Sequence, residues 1–338
     1  MKKMFLAIVL LLIGSMITFP RPTVARTFTL KFQLAFPKKF PAGKNFQSFA
    51  NRVEELTDGK VKIILFEPGQ LVKAKGVFDA LRKGTIDLYG GSMLYFAGDV
   101  PEVNCEWLPY SWADSKEVVE LYHDYGWLDL MNQAVMKHGI RYVTPIAMAS
   151  MGLITKFPIH KLEDLKGKKI RAVGMEGMIV DALGGAPVSL PAVEQYLALQ
   201  RGVVDGTDFA FFTIARWKFY EVCKYISLPA FHAPAVINLL VNKKLYDSLP
   251  KDYQMAIDKA GRETLLNGVE QHRKLDEHAY RVCKEHDVNI ITLDPKETER
   301  FRKATLPLWN KMAQKSEISR KLIKTLKAFM KAKGRSVE

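Results

Sequence analysis

The feature that most restricts how this chain can fold is a junction that occurs twice. Ala80-Leu81-Arg82-Lys83-Gly84-Thr85-Ile86-Asp87 and Ala198-Leu199-Gln200-Arg201-Gly202-Val203-Val204-Asp205 each read as a helix end, a glycine free to take the left-handed cap, and a short strand leading to an Asp. Any helix-to-strand junction shares some of this design, so the pair gains weight from its surroundings. Around the first copy, residues 27–36 alternate as a strand, Phe46, Phe49, Ala50, Val53 and Leu56 recur at helical spacing until Asp58-Gly59, and 61–66, 77–83 and 85–89 read as strand, helix and strand. Around the second, 170–173, 178–183, 187–190 and 193–201 read as strand, helix, strand and helix. Alternation of this kind predicts an α/β fold with much parallel pairing, built as two similar lobes. From Ser248-Pro250 a helix is expected to run to about Val288, tolerating Gly261 and Gly268. At ~1.5 Å per residue it exceeds the width of one lobe and suits a spine across both.

The N-terminus points to export. Met1-Lys2-Lys3 precedes an apolar run from Met4 to Phe19 and then Thr23-Val24-Ala25, the layout of a cleaved secretory signal over residues 1–25. An uncleaved anchor is the alternative, although the run is short for a membrane span. About 310 of the 338 residues remain, enough for two domains. The formal charge of +14 becomes +11 once Lys2, Lys3 and Arg21 leave, which favours an anionic ligand. The basic residues are scattered, and the densest run, 321–335, carries Leu322, Ile323, Leu326, Phe329 and Met330 at the spacing of a terminal helix lying on the body, not of a nucleic-acid or membrane site.

Signatures of catalysis are absent from the sequence: no G-x-S-x-G, P-loop, H-E-x-x-H or G-x-G-x-x-G motif occurs, so an enzyme is not expected. The His residues are dispersed, with His272 and His278 expected on the exposed part of the long helix, and no metal or cofactor is implied. Cys105, Cys223 and Cys283 form no close pair and read as buried structural residues, with one disulfide plus a free thiol as the alternative. Arg171 stands apart, because it lies within the strand 170–173, whose carboxyl end is where an α/β sheet presents its ligand crevice. Its guanidinium suits a carboxylate through two parallel hydrogen bonds. Pairing with Asp164 or Glu163 is the competing account.

Several stretches together resemble the DctP-like solute receptors of TRAP transporters. They are residues 162–171 (Leu-Glu-Asp-Leu-Lys-Gly-Lys-Lys-Ile-Arg), 183–188 (Leu-Gly-Gly-Ala-Pro-Val), 198–206 (Ala-Leu-Gln-Arg-Gly-Val-Val-Asp-Gly) and 218–222 (Lys-Phe-Tyr-Glu-Val), with 68–71, 84–88 and 242–249 in step. The resemblance covers essentially the whole mature chain. It implies a two-lobed periplasmic binding protein fold with mixed sheets, a ligand cleft between the lobes and a long helix spanning both. The expected division is a signal at 1–25, lobe I at 26–148 plus 234–270, and lobe II at 149–233 plus 271–338. It further implies a periplasmic receptor that closes on a small carboxylate and delivers it to TRAP membrane permease subunits, with a homodimer left open and no nucleic acid involved.

Arg171 matches the carboxylate-binding Arg of the family, and Gly90-Gly91-Ser92 a ligand-facing loop. Asp208-Phe209 stands where many members have Glu-Asn, and it is similar to the branch that takes 2-oxo acids and related monocarboxylates. No second Arg occurs over 148–153, and Val72-Lys73 replaces a common Gly pair, which disfavours a sugar acid. The expected ligand-binding set is therefore Arg171, Phe209, Asp208, Ser92, Phe36, Gln70, Phe211 and Trp217. A dicarboxylate binder of the same family and a ligand-sensing periplasmic module are the alternatives.

Overall fold

A computed structural model describes residues 27–335, so the expected signal segment 1–25 lies outside the described residues. The strands are β1 (Phe28–Leu34), β2 (Val61–Phe66), β3 (Leu88–Gly91), β4 (Ile140–Ala147), β5 (Met151–Thr155), β6 (Lys169–Arg171), β7 (Ala186–Val188), β8 (Gly206–Ala210), β9 (Tyr225–Leu228), β10 (Val236–Asn242) and β11 (Asn289–Thr292). The helices are α1 (Pro41–Leu56), α2 (Val77–Lys83), α3 (Ser115–His123), α4 (Trp127–Met136), α5 (Met175–Ala182), α6 (Gln195–Gln200), α7 (Thr213–Arg216), α8 (Lys243–Ser248), α9 (Lys251–Glu285), α10 (Pro295–Ala313) and α11 (Glu317–Ala332). Two mixed sheets result, one ordered β2-β1-β3-β10-β4 and the other β11-β9-β5-β8-β6-β7. The units β1-β2-β3 and β6-β7-β8 pair in parallel, as the alternation predicts. β10 and β5 run antiparallel to their neighbours because they follow passages of the chain between the sheets.

The repeated junction is the same object in three dimensions. Gly84 and Gly202 both take the left-handed conformation, with φ of 75° and 73°. Behind them Thr85 N–H donates to Ala80 O at 2.8 Å, and Val203 N–H to Ala198 O at 2.9 Å, closing each helix. Asp87 then donates its N–H to Lys31 O at 3.0 Å, and its carboxylate accepts from Lys31 N–H at 2.7 Å. Asp205 does the same to Lys169, at 2.7 and 2.9 Å. The first strand starts at Leu88 and not at Thr85, since the cap holds 85–87 in the turn.

The chain crosses from the first sheet to the second at 148–150, returns at 229–235, and crosses again within α9. The two strand crossings lie side by side: Met148 N–H donates to Ala235 O and Ala235 N–H to Ala149 O, at 2.9 and 3.2 Å. α9 has 35 residues and packs on α1, α3 and β4 of one lobe and on α7 and β11 of the other. Its two internal glycines have a packing reason, because a Cβ at Gly261 would stand 2.8 Å from Val143 and one at Gly268 3.4 Å from Ala147 O. The ~1 kcal/mol that glycine costs in a helix is offset there by close approach to β4.

Of three further expectations one changes, that for His272, and two hold. α11 buries Leu322, Ile323, Leu326, Phe329 and Met330 against α10 and α4, as expected of a terminal helix lying on the body. His272 is turned inward, its Nδ1 2.7 Å from Ser115 Oγ and its Nε2 3.1 Å from both Ser150 Oγ and Asp276 Oδ2, because that face of α9 rests on α3 and on the crossing at 148–150. The three cysteines are buried and unpaired, and burial pushes the Cys105 and Cys223 thiols up to about 12 and that of Cys283 to about 11, which makes all three poor nucleophiles.

Candidate ligand cleft

Between the lobes, over the paired crossings, lies a cavity of about 50 Å³. Met148, Met151, Ala235 and Ile237 form its floor, Phe36, Phe40 and Ala42 close it from the first lobe, and Phe209, Ala210 and Phe212 from the second. Ser92, Tyr95, Trp107, Arg171 and Glu176 are the polar-bearing side chains of the wall, with Tyr95 at the mouth and 43 % exposed. Arg171 is the one cation among the described lining residues.

Arg171 sits at the end of β6, clamped in the sheet by its pairing with Val188 of β7 and Thr207 of β8. Only 1 % exposed, it donates Nε to Leu190 O at 3.2 Å and Nη1 to Glu176 Oε2 at 3.3 Å, and its guanidinium lies over the Phe209 ring, 5.1 Å from the centroid. Nη2 has no hydrogen-bond partner among the described residues, while the Tyr95 hydroxyl, raised by burial, lies near enough to the guanidinium for Arg171 to pull it partly back down. The two-pronged fork expected from sequence is thus half occupied by Glu176, neither Asp164 nor Glu163 being the partner: Asp164 caps the backbone at His160 and Lys161, and Glu163 pairs with Arg300. Trp217 stacks on Phe209 at 5.2 Å, which fixes the ring under the guanidinium.

Electrostatics around Arg171 are unusual for a surface cleft. Burial raises the Glu176 carboxyl above the ordinary range, and Arg171 with the Val173 N–H pulls it partly back. Asp208 is fully buried, both its oxygens lack partners, and burial with the neighbouring Glu176 pushes it well up against the pull of Arg171. On the opposite wall the Ser92 turn is held by Asn238, which accepts from Met93 N–H at 2.8 Å and donates to Glu106 at 3.0 Å. Glu106 is itself raised to about 7 by burial, against hydrogen bonds from Tyr122, Tyr142 and Asn238.

Of the eight residues singled out from sequence, Phe36, Ser92, Arg171 and Phe209 meet around this cavity. Trp217 backs it through Phe209, and Asp208 is buried beside Arg171 and Glu176 without lining it. Two lie elsewhere. Gln70 is exposed and closes its own turn, accepting from Glu67 N–H at 2.9 Å, and Phe211 points into the second lobe's core with Ile154 and Leu199, because β8 ends at Ala210 and the chain turns there, so Phe211 does not share the face of Phe209 as strand alternation would require. Sequence reasoning missed Tyr95, Trp107 and Glu176. Glu176 had a signal, since Gly174 turns the chain back just after Arg171, with φ of 52°.

Comparison with known proteins gives a consistent result. The family model described as bacterial extracellular solute-binding protein, family 7 (DctP), matches residues 33–316. A monocarboxylate 2-oxoacid-binding periplasmic protein of Nostoc sp. is 25 % identical over 300 residues, 88 % of this chain and 82 % of that one. A C4-dicarboxylate-binding periplasmic protein of Rhodobacter capsulatus is 26 % identical, covering 87 % of this chain and 89 % of its own. Among solved structures, a TRAP periplasmic solute-binding protein of Ochrobactrum anthropi superposes with a TM-score of 0.79 at 27 % identity, over 92 % of this chain and 98 % of that one.

Proposed function

This chain belongs to family 7 of the bacterial extracellular solute-binding proteins, the DctP-like receptors of TRAP transporters, and from that premise we propose that it captures a small monocarboxylate, a 2-oxo acid by preference, in the periplasm and delivers it to a membrane permease. The observation that carries the reading is Arg171, a cation 1 % exposed in a largely apolar interlobe cavity, with Nη2 lacking a hydrogen-bond partner among the described residues. A buried charge of this kind is stabilised by an anion, and the apolar walls accept a carbon body. Arg171 is the one cation among the described lining residues, so the second carboxylate of a dicarboxylate would be desolvated without a countercharge. That argument weighs against the ligand of the Rhodobacter relative and for that of the Nostoc one.

In the proposed cycle the lobes bend apart about the crossings at 148–150 and 229–235, the acid pairs with Arg171 on the second lobe, and closure brings Phe36, Ser92 and Tyr95 of the first lobe over it. Exclusion of water then strengthens the ion pair, and the differential contacts of the ligand favour the closed state. Calorimetry with 3-methyl-2-oxobutyrate tests this. A charged hydrogen bond is worth roughly 1.5–3 kcal/mol, so Arg171→Ala should weaken binding well over tenfold. Unchanged affinity in a folded Arg171→Ala protein removes the proposal.

A further inference from the structure

Two described side chains that line the cavity bury a polar atom for which the protein provides no partner: Arg171 at Nη2 and Trp107 at Nε1. Both atoms are donors. They come from opposite lobes, Trp107 from the 3-10 segment Pro101–Trp107 and Arg171 from β6. Trp107 is 3 % exposed, and its ring packs edge-on against the His232 ring at 5.2 Å. Most of the wall around it is carbon from Phe36, Phe40, Met148, Met151 and Ile237.

An indole N–H can only donate, and left unpaired in such a wall it disfavours closure. A ligand that satisfies both walls must therefore carry an acceptor in addition to the group held by Arg171. A ketone oxygen beside the carboxylate meets this need without introducing a hydrogen that the apolar wall would have to pair. A plain fatty acid of the same length offers nothing there, and a site built to hydrogen-bond one ligand oxygen discriminates strongly against analogues that lack it.

We propose that the Trp107 indole N–H is the second hydrogen-bond donor to the ligand and sets the preference for 2-oxo acids, receiving the ketone oxygen while Arg171 receives the carboxylate. This rests on the reading of Arg171 given above. Trp107 then acts as a bridge, because a ligand touching both donors ties the first lobe to the second.

The test is calorimetry on the full mature chain with two probes that differ in that oxygen alone, 3-methyl-2-oxobutyrate and 3-methylbutanoate. Wild type should bind the oxo acid at least tenfold more tightly. In Trp107→Phe the ratio should collapse to within about twofold, and Arg171→Ala should bind neither acid well. A wild-type protein indifferent to the ketone overturns the proposal without any variant having to fold, as does a ratio that survives in a folded Trp107→Phe. Arg171→Ala binding both probes like wild type, or wild type binding neither, removes the reading of Arg171 and the Trp107 assignment with it.

Discussion

Gln33 in the first lobe and Arg171 in the second stand at matching places, each two residues along its strand from a lysine whose backbone is clamped by an aspartate, Asp87 or Asp205. Both side chains are 1 % exposed. Gln33 is satisfied at both ends: Nε2 donates to Glu67 O at 2.9 Å and to Leu34 O at 3.2 Å, and Oε1 accepts from Leu71 N–H at 3.0 Å. Arg171 uses Nε and Nη1 in the same way, on Leu190 O and Glu176, and keeps Nη2. Three residues past the aspartates the lobes diverge again, where Gly90 leaves room for the Phe46 ring, 2.6 Å from where a Cβ would stand, and Asp208 buries a carboxyl. One scaffold therefore serves two ends. In the first lobe the buried polar group is spent on holding the loop at 67–71, and in the second it is left partly unspent, which is the mark of a binding site.

The sharpest way to break this comparison is Gln33→Ala. It removes the partner of the Leu71 N–H and the Glu67 carbonyl, and the loss of three hydrogen bonds of a buried amide should cost about 3 kcal/mol. For a protein of this size that lowers Tm by roughly 6–12 °C in a thermal melt. Affinity for 3-methyl-2-oxobutyrate should stay within about twofold, the reverse of Arg171→Ala. A Gln33→Ala protein that melts like wild type and fails to bind would show that the two positions share a role.

A smaller effect concerns the charge beside Arg171. Burial holds Glu176 above the ordinary carboxylate range, and a second carboxylate arriving on Arg171 raises it further, so binding takes up a proton once the free protein has begun to lose it. Affinity is then greatest on the acid side of the Glu176 titration and falls as pH rises through it, by up to about tenfold per unit. Dissociation constants at pH 5.5 and 8.5 should show the weaker binding at 8.5, and Glu176→Gln should flatten the trend. A trend of the opposite sign would place the ligand anion away from Glu176.

The sequence revealed most where short-range chemistry decides. β2 and α2 fall on the predicted residues because strict alternation and a left-handed glycine mark their ends, and the repeated Gly-to-Asp junction was readable because its hydrogen bonds join residues on one element and its neighbour. Arg171 was visible through its strand and motif. Trp107 was not, since it ends an irregular 3-10 segment without periodicity and meets the cavity only when the two lobes come together. Gln70 and Phe211 were misplaced for a related reason: one turn of backbone direction decides whether a side chain faces the cleft, the solvent or the core, and neither composition nor spacing records it. His272 shows the same limit, as the face of α9 it occupies is covered by α3, an element that gave no signal of its packing.

The smallest predicted effects test whether the repeated unit is one design. Asp87→Ala and Asp205→Ala each remove a carboxylate that accepts a strand N–H, from Lys31 at 2.7 Å and from Lys169 at 2.9 Å, and each should cost about 1 kcal/mol, or roughly 2–4 °C in Tm. The two deficits should agree near pH 4 and then separate for one of them. Burial raises the Asp87 carboxyl above its ordinary value against the pull of the Lys31 N–H and charge, so the folded protein binds that proton more tightly than the unfolded chain. The stabilisation linked to it is full below the unfolded value near 3.8 and is lost as pH rises through the folded one. Against wild type, the deficit of Asp87→Ala should therefore shrink between pH 4 and 7, as followed by thermal melts. A deficit that grows over that range would mean that the ionised carboxylate is the better partner for Lys31, and that burial does not govern this arm of the unit.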